Sequence, residues 1–352
     1  MDQPQSTSPR RRRLWVDLTA LAVVGVLLLG AIAAGGASLY KEYYGPGAFV
    51  TRYLDLLAAG RAADALHVPG VAIDRDTLQE AGIEVTASEA LLRQAALAPL
   101  SEIDVVDEVT TDGVTSVTVS YVAGSHPGTS TFDVTQDGWE GVTPNWRFAH
   151  TPLAAISLNV LGSDQFAVNG FELDRRQVSS AGAEAAPLDA LPMLVFTPGL
   201  YSVTVDTAIS TSPGVSVLAD SPLTQTPVDL QTKPTEEFLA VVQTRVEEFL
   251  TECTTQQVLQ PTACPFGLEV QNRIANLPTW TITTQPTVTV EPDGAGWQIP
   301  ATDAVAHIEV DIRSLFDGSI EHVSEDVPFR VNGTISILPD GSASIRVGSA
   351  GA

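Results

Sequence analysis

The stretch from Leu18 to Ala37, LTALAVVGVLLLGAIAAGGA, carries no charge and almost no polar side chain, and four arginines, Arg10 to Arg13, stand shortly before it. Wound as a helix at ~1.5 Å per residue, it covers roughly 30 Å, the hydrocarbon thickness of a bilayer. Basic residues stay on the cytoplasmic side of a span. The sequence therefore predicts a cytoplasmic basic tail over 1–13, a transmembrane helix over 14–40 and an outer body from Lys41 onward. Trp15 and Tyr40, with Tyr43 and Tyr44 beyond, stand at the two ends, where aromatic rings favour the interface. A cleaved signal peptide is the rival reading, with Ala31-Ile32-Ala33 as its cleavage site. Signal h-regions run about 7–15 residues, shorter than this stretch, so an uncleaved anchor is expected. Ala31 and Gly35 form a small-xxx-small pair of the kind that brings helices together.

Charge sorts the partners. The formal net charge is -24, and residues 1–40 hold four Arg and two Asp, which leaves -26 on the remainder. The only lysines are Lys41 and Lys233. A body this acidic repels nucleic acid and anionic headgroups. No nucleic-acid partner is expected, and basic partners or cations are favoured. With about 310 residues beyond the expected span, two or three domains follow from size. The two cysteines, Cys253 and Cys264, lie close in sequence on the side expected to be oxidising, which predicts a disulfide. A metal site would need further ligands, and no histidine lies near.

Periodicity divides the body. Ala48 to Leu66 reads as an amphipathic helix through Phe49, Tyr53, Leu56, Leu57 and Leu66. Thr86 and Glu89 form a capping box, so a second helix is expected there, ending at Pro99. The pattern then changes to period two. Val114 to Val122, Thr129 to Thr135 and Asn145 to Phe148 read as strands, with Asp112-Gly113 and Asp137-Gly138 as turns. Leu153 to Lys233 looks entirely β, with strands at 156–161, 166–173, 191–196, 200–207 and 215–218 and a flexible small-residue loop over Ser179 to Ala186. Thr235 opens a helix whose face is Phe238, Val241, Val242, Arg245, Val246 and Phe249. The cysteine loop follows it, and then strands at 279–291, 304–312, 329–338 and 342–347, with Asp293-Gly294 and Asp340-Gly341 as hairpin turns. The expected fold class is α+β: one N-terminal transmembrane helix, an α+β module over 41–152, a small β-sandwich over 153–233 and a second α+β module over 234–352. Helix followed by sheet occurs at 48–151 and again at 235–349, an internal repeat of architecture.

Phe49-Val50-Thr51-Arg52-Tyr53-Leu54, followed by Ala58-Ala59-Gly60-Arg61-Ala62-Ala63-Asp64-Ala65-Leu66, resembles the opening helix of extracytoplasmic NTF2-like domains. The whole layout is similar to single-pass envelope proteins of actinobacteria. More distantly, it is similar to teicoplanin-resistance-associated membrane proteins, whose β modules Asn169-Gly170 and Pro198-Gly199-Leu200-Tyr201 resemble. The resemblance implies a binding or scaffolding role in the cell envelope, with an envelope protein or a cell-wall ligand as partner and the lipid bilayer contacted through the anchor. It carries over no catalytic residue. NTF2-like folds close a conical apolar pocket, which Phe49, Tyr53 and Trp146 would line or fill as core.

Chemistry is sparse. Ser38-Leu39-Tyr40-Lys41 matches the Ser-x-x-Lys of penicillin-binding enzymes, yet it falls at the membrane edge before any folded domain. The histidines, at 67, 126, 150, 307 and 322, are scattered with no metal spacing, and neither a P-loop nor Gly-x-Ser-x-Gly occurs. Asn332-Gly333-Thr334 reads as a turn. Asp104, Asp107, Glu108 and Asp112 form an acidic cluster, which either holds a hard cation or protects a solvated edge. No cofactor is expected. The expected function is a membrane-anchored, non-enzymatic binding protein with its C-terminus outside. The alternative is an extracytoplasmic enzyme using carboxylate and histidine chemistry in an NTF2-like pocket.

Overall fold

The computed structural model of the protein describes residues 21–24, 40, 42–141, 143–338 and 340–349. The span expected over 14–40 lies almost wholly outside them, and among the described residues no helix is long and apolar enough to cross a membrane. The α+β class with a transmembrane helix is corrected: the protein is mostly β, 46% strand and 20% helix. Two differences produce this. Leu100–Thr111 and Gln225–Gln231 are strands that the periodicity leaves unassigned, and the helix expected at Thr86 does not form.

The chain divides into two compact units. One takes its described residues from Met1–Ala72 and Leu100–Pro152, the other from Ile73–Pro99 and Leu153–Ala352. Residues 73–99, placed by sequence within the 41–152 module, thus belong to the second unit.

In the first unit, α1 (Pro46–Ala58) and α2 (Ala62–Leu66) precede an antiparallel meander of β1 (Leu100–Thr111), β2 (Val114–Ala123), β3 (His126–Glu140) and β4 (Thr143–Phe148). Pro46 at the first turn has the preset φ that starts a helix. Gly60, at φ 70, ends it with a left-handed turn in which Arg61 N–H donates to Leu56 O at 2.8 Å. The single helix expected over 48–66 is therefore two. Asp112 and Gly113 both take positive φ, the type I′ geometry whose twist matches a hairpin. Gly138, expected in a turn, instead sits at a register break between β3 and β4. The alternation of β2 buries Val117, Val119 and Tyr121 beneath α1 residues Phe49, Val50 and Tyr53.

In the second unit, α3 (Arg75–Glu80) is capped by Asp74. The next stretch extends onto a sheet: Ser88 N–H donates to Pro192 O and Leu194 N–H to Ser88 O, each at 2.8 Å. Glu89, the expected helix-capping partner, pairs with Arg75 at 2.8 Å, and Thr86 bonds back to Glu84. Tertiary pairing thus overrides the local capping signal.

The strands β5 (Leu153–Leu161), β6 (Gln165–Val168), β7 (Phe171–Asp174), β8 (Leu191–Phe196), β9 (Gly199–Thr204), β10 (Ser210–Thr211), β11 (Val215–Ala219), β12 (Gln225–Gln231) and β13 (Lys233–Pro234) follow, with α4 (Arg175–Val178) after β7. The sheets β12-β5-β8 and β11-β9-β6-β7 share one core through Ile156, Leu158, Met193, Phe166 and Val203. Strand β12 runs parallel to β5, a non-local pairing with no turn signal between the two. Arg175 is 1% exposed and donates to the carbonyls of Val160, Ala186 and Asp189, fastening the small-residue loop.

The last part is α5 (Glu236–Thr254) against a six-stranded sheet. The sheet holds β14 (Arg273–Ile274), β15 (Thr279–Thr284), β16 (Glu291–Asp293), β17 (Gly296–Arg313), β18 (Ile320–Ile337) and β19 (Ala343–Ser349). Thr235 Oγ1 accepts from Phe238 N–H at 3.1 Å, and Glu236 and Glu237 suit the positive end of the helix. The buried face is Phe238, Val242, Val246, Leu250 and Cys253, while Val241 faces solvent. Cys253 and Cys264 form a disulfide, with Cα atoms 5.8 Å apart, that ties the end of α5 to the following loop. Phe266 packs on Trp280 and Phe329 beneath that loop, with ring centroids 4.9 and 5.2 Å apart.

Candidate binding groove

An open groove of about 930 Å³ lies in the first unit between α1 and β1. Its helical wall is the stripe Ala48, Thr51, Arg52 and Asp55, residues that share a face at spacings of three and four. The facing wall is β1 from Ile103 to Glu108. Strand β1 is at the edge of its sheet and pairs with β2 alone, with register breaks after Ser101 and Val105. The walls carry five carboxylates, Glu42, Asp55, Asp104, Asp107 and Glu108, against one cation, Arg52. Arg52 Nη1 donates to Tyr43 O at 3.3 Å. Glu108 Oε1 accepts from Gly47 N–H at 3.1 Å, placing a negative charge at the positive first turn of α1. A Cβ at Gly47 would collide with that carboxylate, so glycine permits the close approach.

The acidic cluster read from sequence is only partly assembled. Asp104, Asp107 and Glu108 line the groove, and Asp112 sits in the β1–β2 turn. Among the described residues no group of three or more His, Cys, Asp or Glu is placed to hold a metal ion. Phe49 and Tyr53 lie on the opposite side of α1, where they meet Phe148 with centroids 5.0 and 5.1 Å away, and Phe132 closes the cluster. These rings fill the space between helix and sheet. Trp146 stands apart, its indole N–H donating to Tyr44 O at 2.8 Å. None of the three lines the groove.

A second cleft, of about 670 Å³, opens in the second unit with Asp174, Asp206 and Asp340 on its walls. Two of these carboxylates have structural duties. Burial pushes the Asp174 carboxyl up, but bonds from Arg176 at 2.8 and 3.0 Å and its charge outweigh this and hold it below the usual range. Asp340 accepts from Ser342 Oγ and N–H at 2.6 and 2.9 Å, and these bonds lower it also.

Sequence spacing misses one further arrangement. Antiparallel register sets His307 opposite Asp326 and Glu309 opposite Ser324. Asp326 Oδ1 lies 2.7 Å from His307 Nδ1, and Ser324 Oγ 3.1 Å from His307 Nε2. The atoms run in the order of a nucleophile, base and orienting acid. They stand on an open sheet face, with Asp326 68% exposed, where water weakens the electrostatics such chemistry relies on.

The disulfide fits an oxidising, extracytoplasmic compartment. No family model, curated protein or solved structure matches the chain.

Proposed function

We propose that this is a non-enzymatic binding or scaffolding protein of the cell envelope, held at the cell membrane by its N-terminal segment, with the body outside. The carrying observation is the groove between α1 and β1, which sets a strand edge beside a dense row of carboxylates. Such a surface suits a macromolecular partner better than an enclosed small ligand, because pockets for small ligands are concave and mostly apolar. The order helix, glycine turn, helix and meander supports the likeness to NTF2-like modules of actinobacterial envelope proteins. An envelope protein or a cell-wall component is the partner on this reading. Photo-crosslinking side chains placed at Val106 in the groove and at Phe316, 99% exposed on the β17–β18 loop, test it in intact cells. Covalent capture of a discrete partner from either position is expected. Capture from neither would sink the binding reading.

The second reading is hydrolytic, and the Ser324–His307–Asp326 geometry is what favours it. A fluorophosphonate probe decides between the two. On the binding reading Ser324 stays unlabelled. Labelling abolished by Ser324→Ala or His307→Ala would instead make this face a reactive centre.

A further inference from the structure

We infer that the free edge of β1 takes an extended, lysine- or arginine-bearing polypeptide segment as an added strand, an inference that rests on the binding reading above. The argument begins with the backbone. Strand β1 is twelve residues long and pairs on one side only, so its outer edge is a template for another strand. The register breaks after Ser101 and Val105 bend its first half, whereas Asp107 to Thr111 pairs with β2 without interruption. The regular run is therefore where main-chain pairing is available.

The side chains then select the partner. Val105, Val106 and Val109 are 40%, 56% and 53% exposed, an apolar surface that an alternating segment would cover. Interleaved with them are Asp104, Asp107 and Glu108, while Asp55 faces them from α1. A second copy of this chain brought edge to edge would set one acidic row against another, and like charges across a strand pair repel. The same row attracts a segment whose polar positions are basic. The charge that protects the edge against self-pairing is thus also what specifies the visitor. Arg52, bonded to Tyr43 O, lies at the helical wall and leaves the strand side of the groove acidic.

The test titrates the full-length chain with a capped octapeptide of alternating Lys and Val. Two control peptides accompany it, one N-methylated at alternate amides and one with Glu in place of Lys. The Lys–Val peptide is expected to bind. N-methylation removes main-chain donors and weakens binding by about tenfold or more, and the Glu–Val peptide does not bind. Asp104→Lys combined with Asp107→Lys lowers affinity by about tenfold. These positions are exposed, so the fold tolerates the change, and a circular dichroism spectrum identical to wild type checks this. Equal binding of the N-methylated peptide would overturn strand addition, leaving charge attraction alone. Unchanged affinity in the double variant would overturn the site. In the cell experiment, capture from Phe316 but not from Val106 sinks this inference and leaves the binding reading standing, whereas capture from neither sinks both.

Discussion

Single side chains decide stability here where they are buried and polar. Arg175 is the sharpest case: three carbonyls surround its guanidinium, and Asp164 lies 3.5 Å from Nε. Arg175→Met leaves those carbonyls without donors. It is expected to cost about 3 kcal/mol in chemical denaturation, with Arg175→Lys recovering part. A change below the error of the measurement would mean that the loop over 179–190 needs no such fastening. Asp174 makes a pH-dependent prediction. Its folded pKa lies below the unfolded value of 3.8, so its contribution is present above about that pH and disappears as pH falls through the folded pKa. The melting-temperature gap between wild type and Asp174→Asn should therefore be widest near neutral pH and close below pH 3.8. A gap constant with pH would contradict the Arg176 pairing. The disulfide is legible in the sequence because two cysteines on one exported loop leave one pairing. The His307 pairings are not, because they depend on a strand register that only the folded hairpin sets.

At the scale of elements, strands with strict alternation could be read and strands without it could not. Strand β2 alternates over its whole length and buries every second residue, whereas β1 carries adjacent valines and two register breaks. Those breaks shift which face each side chain takes, so no period survives in the sequence. The groove was hidden for the same reason: its acidic residues were visible as a cluster, but their strand was not. The Thr86 segment failed in the other direction, a local capping signal overruled by pairing with β8 at Ser88. The loop after α5 gives the prediction at this scale. Cys253 and Cys264 are 11 residues apart, and reducing the bond should lower stability by about 3 kcal/mol through the freed unfolded chain. Trp280 donating to Val258 O at 2.8 Å, together with the Phe266 stack, keeps the sheet beneath intact. Cys253→Ser with Cys264→Ser should thus melt earlier with unchanged strand content. An equal melting temperature would show that packing alone holds the loop.

For the molecule as a whole, the net charge of -24 and the two β-rich units describe a protein whose surface repels its own copies and draws basic partners. Its total charge could be read from composition, but composition gave no hint that a share of it gathers along one strand edge. Amide hydrogen exchange on the full-length chain, with and without the Lys–Val peptide, tests this account most directly. Slower exchange confined to β1 and centred on 107–111, lost in the Asp104→Lys, Asp107→Lys variant, is the result the account predicts. Binding that leaves β1 exchange unchanged, or that slows exchange equally across the acidic surface, would contradict it.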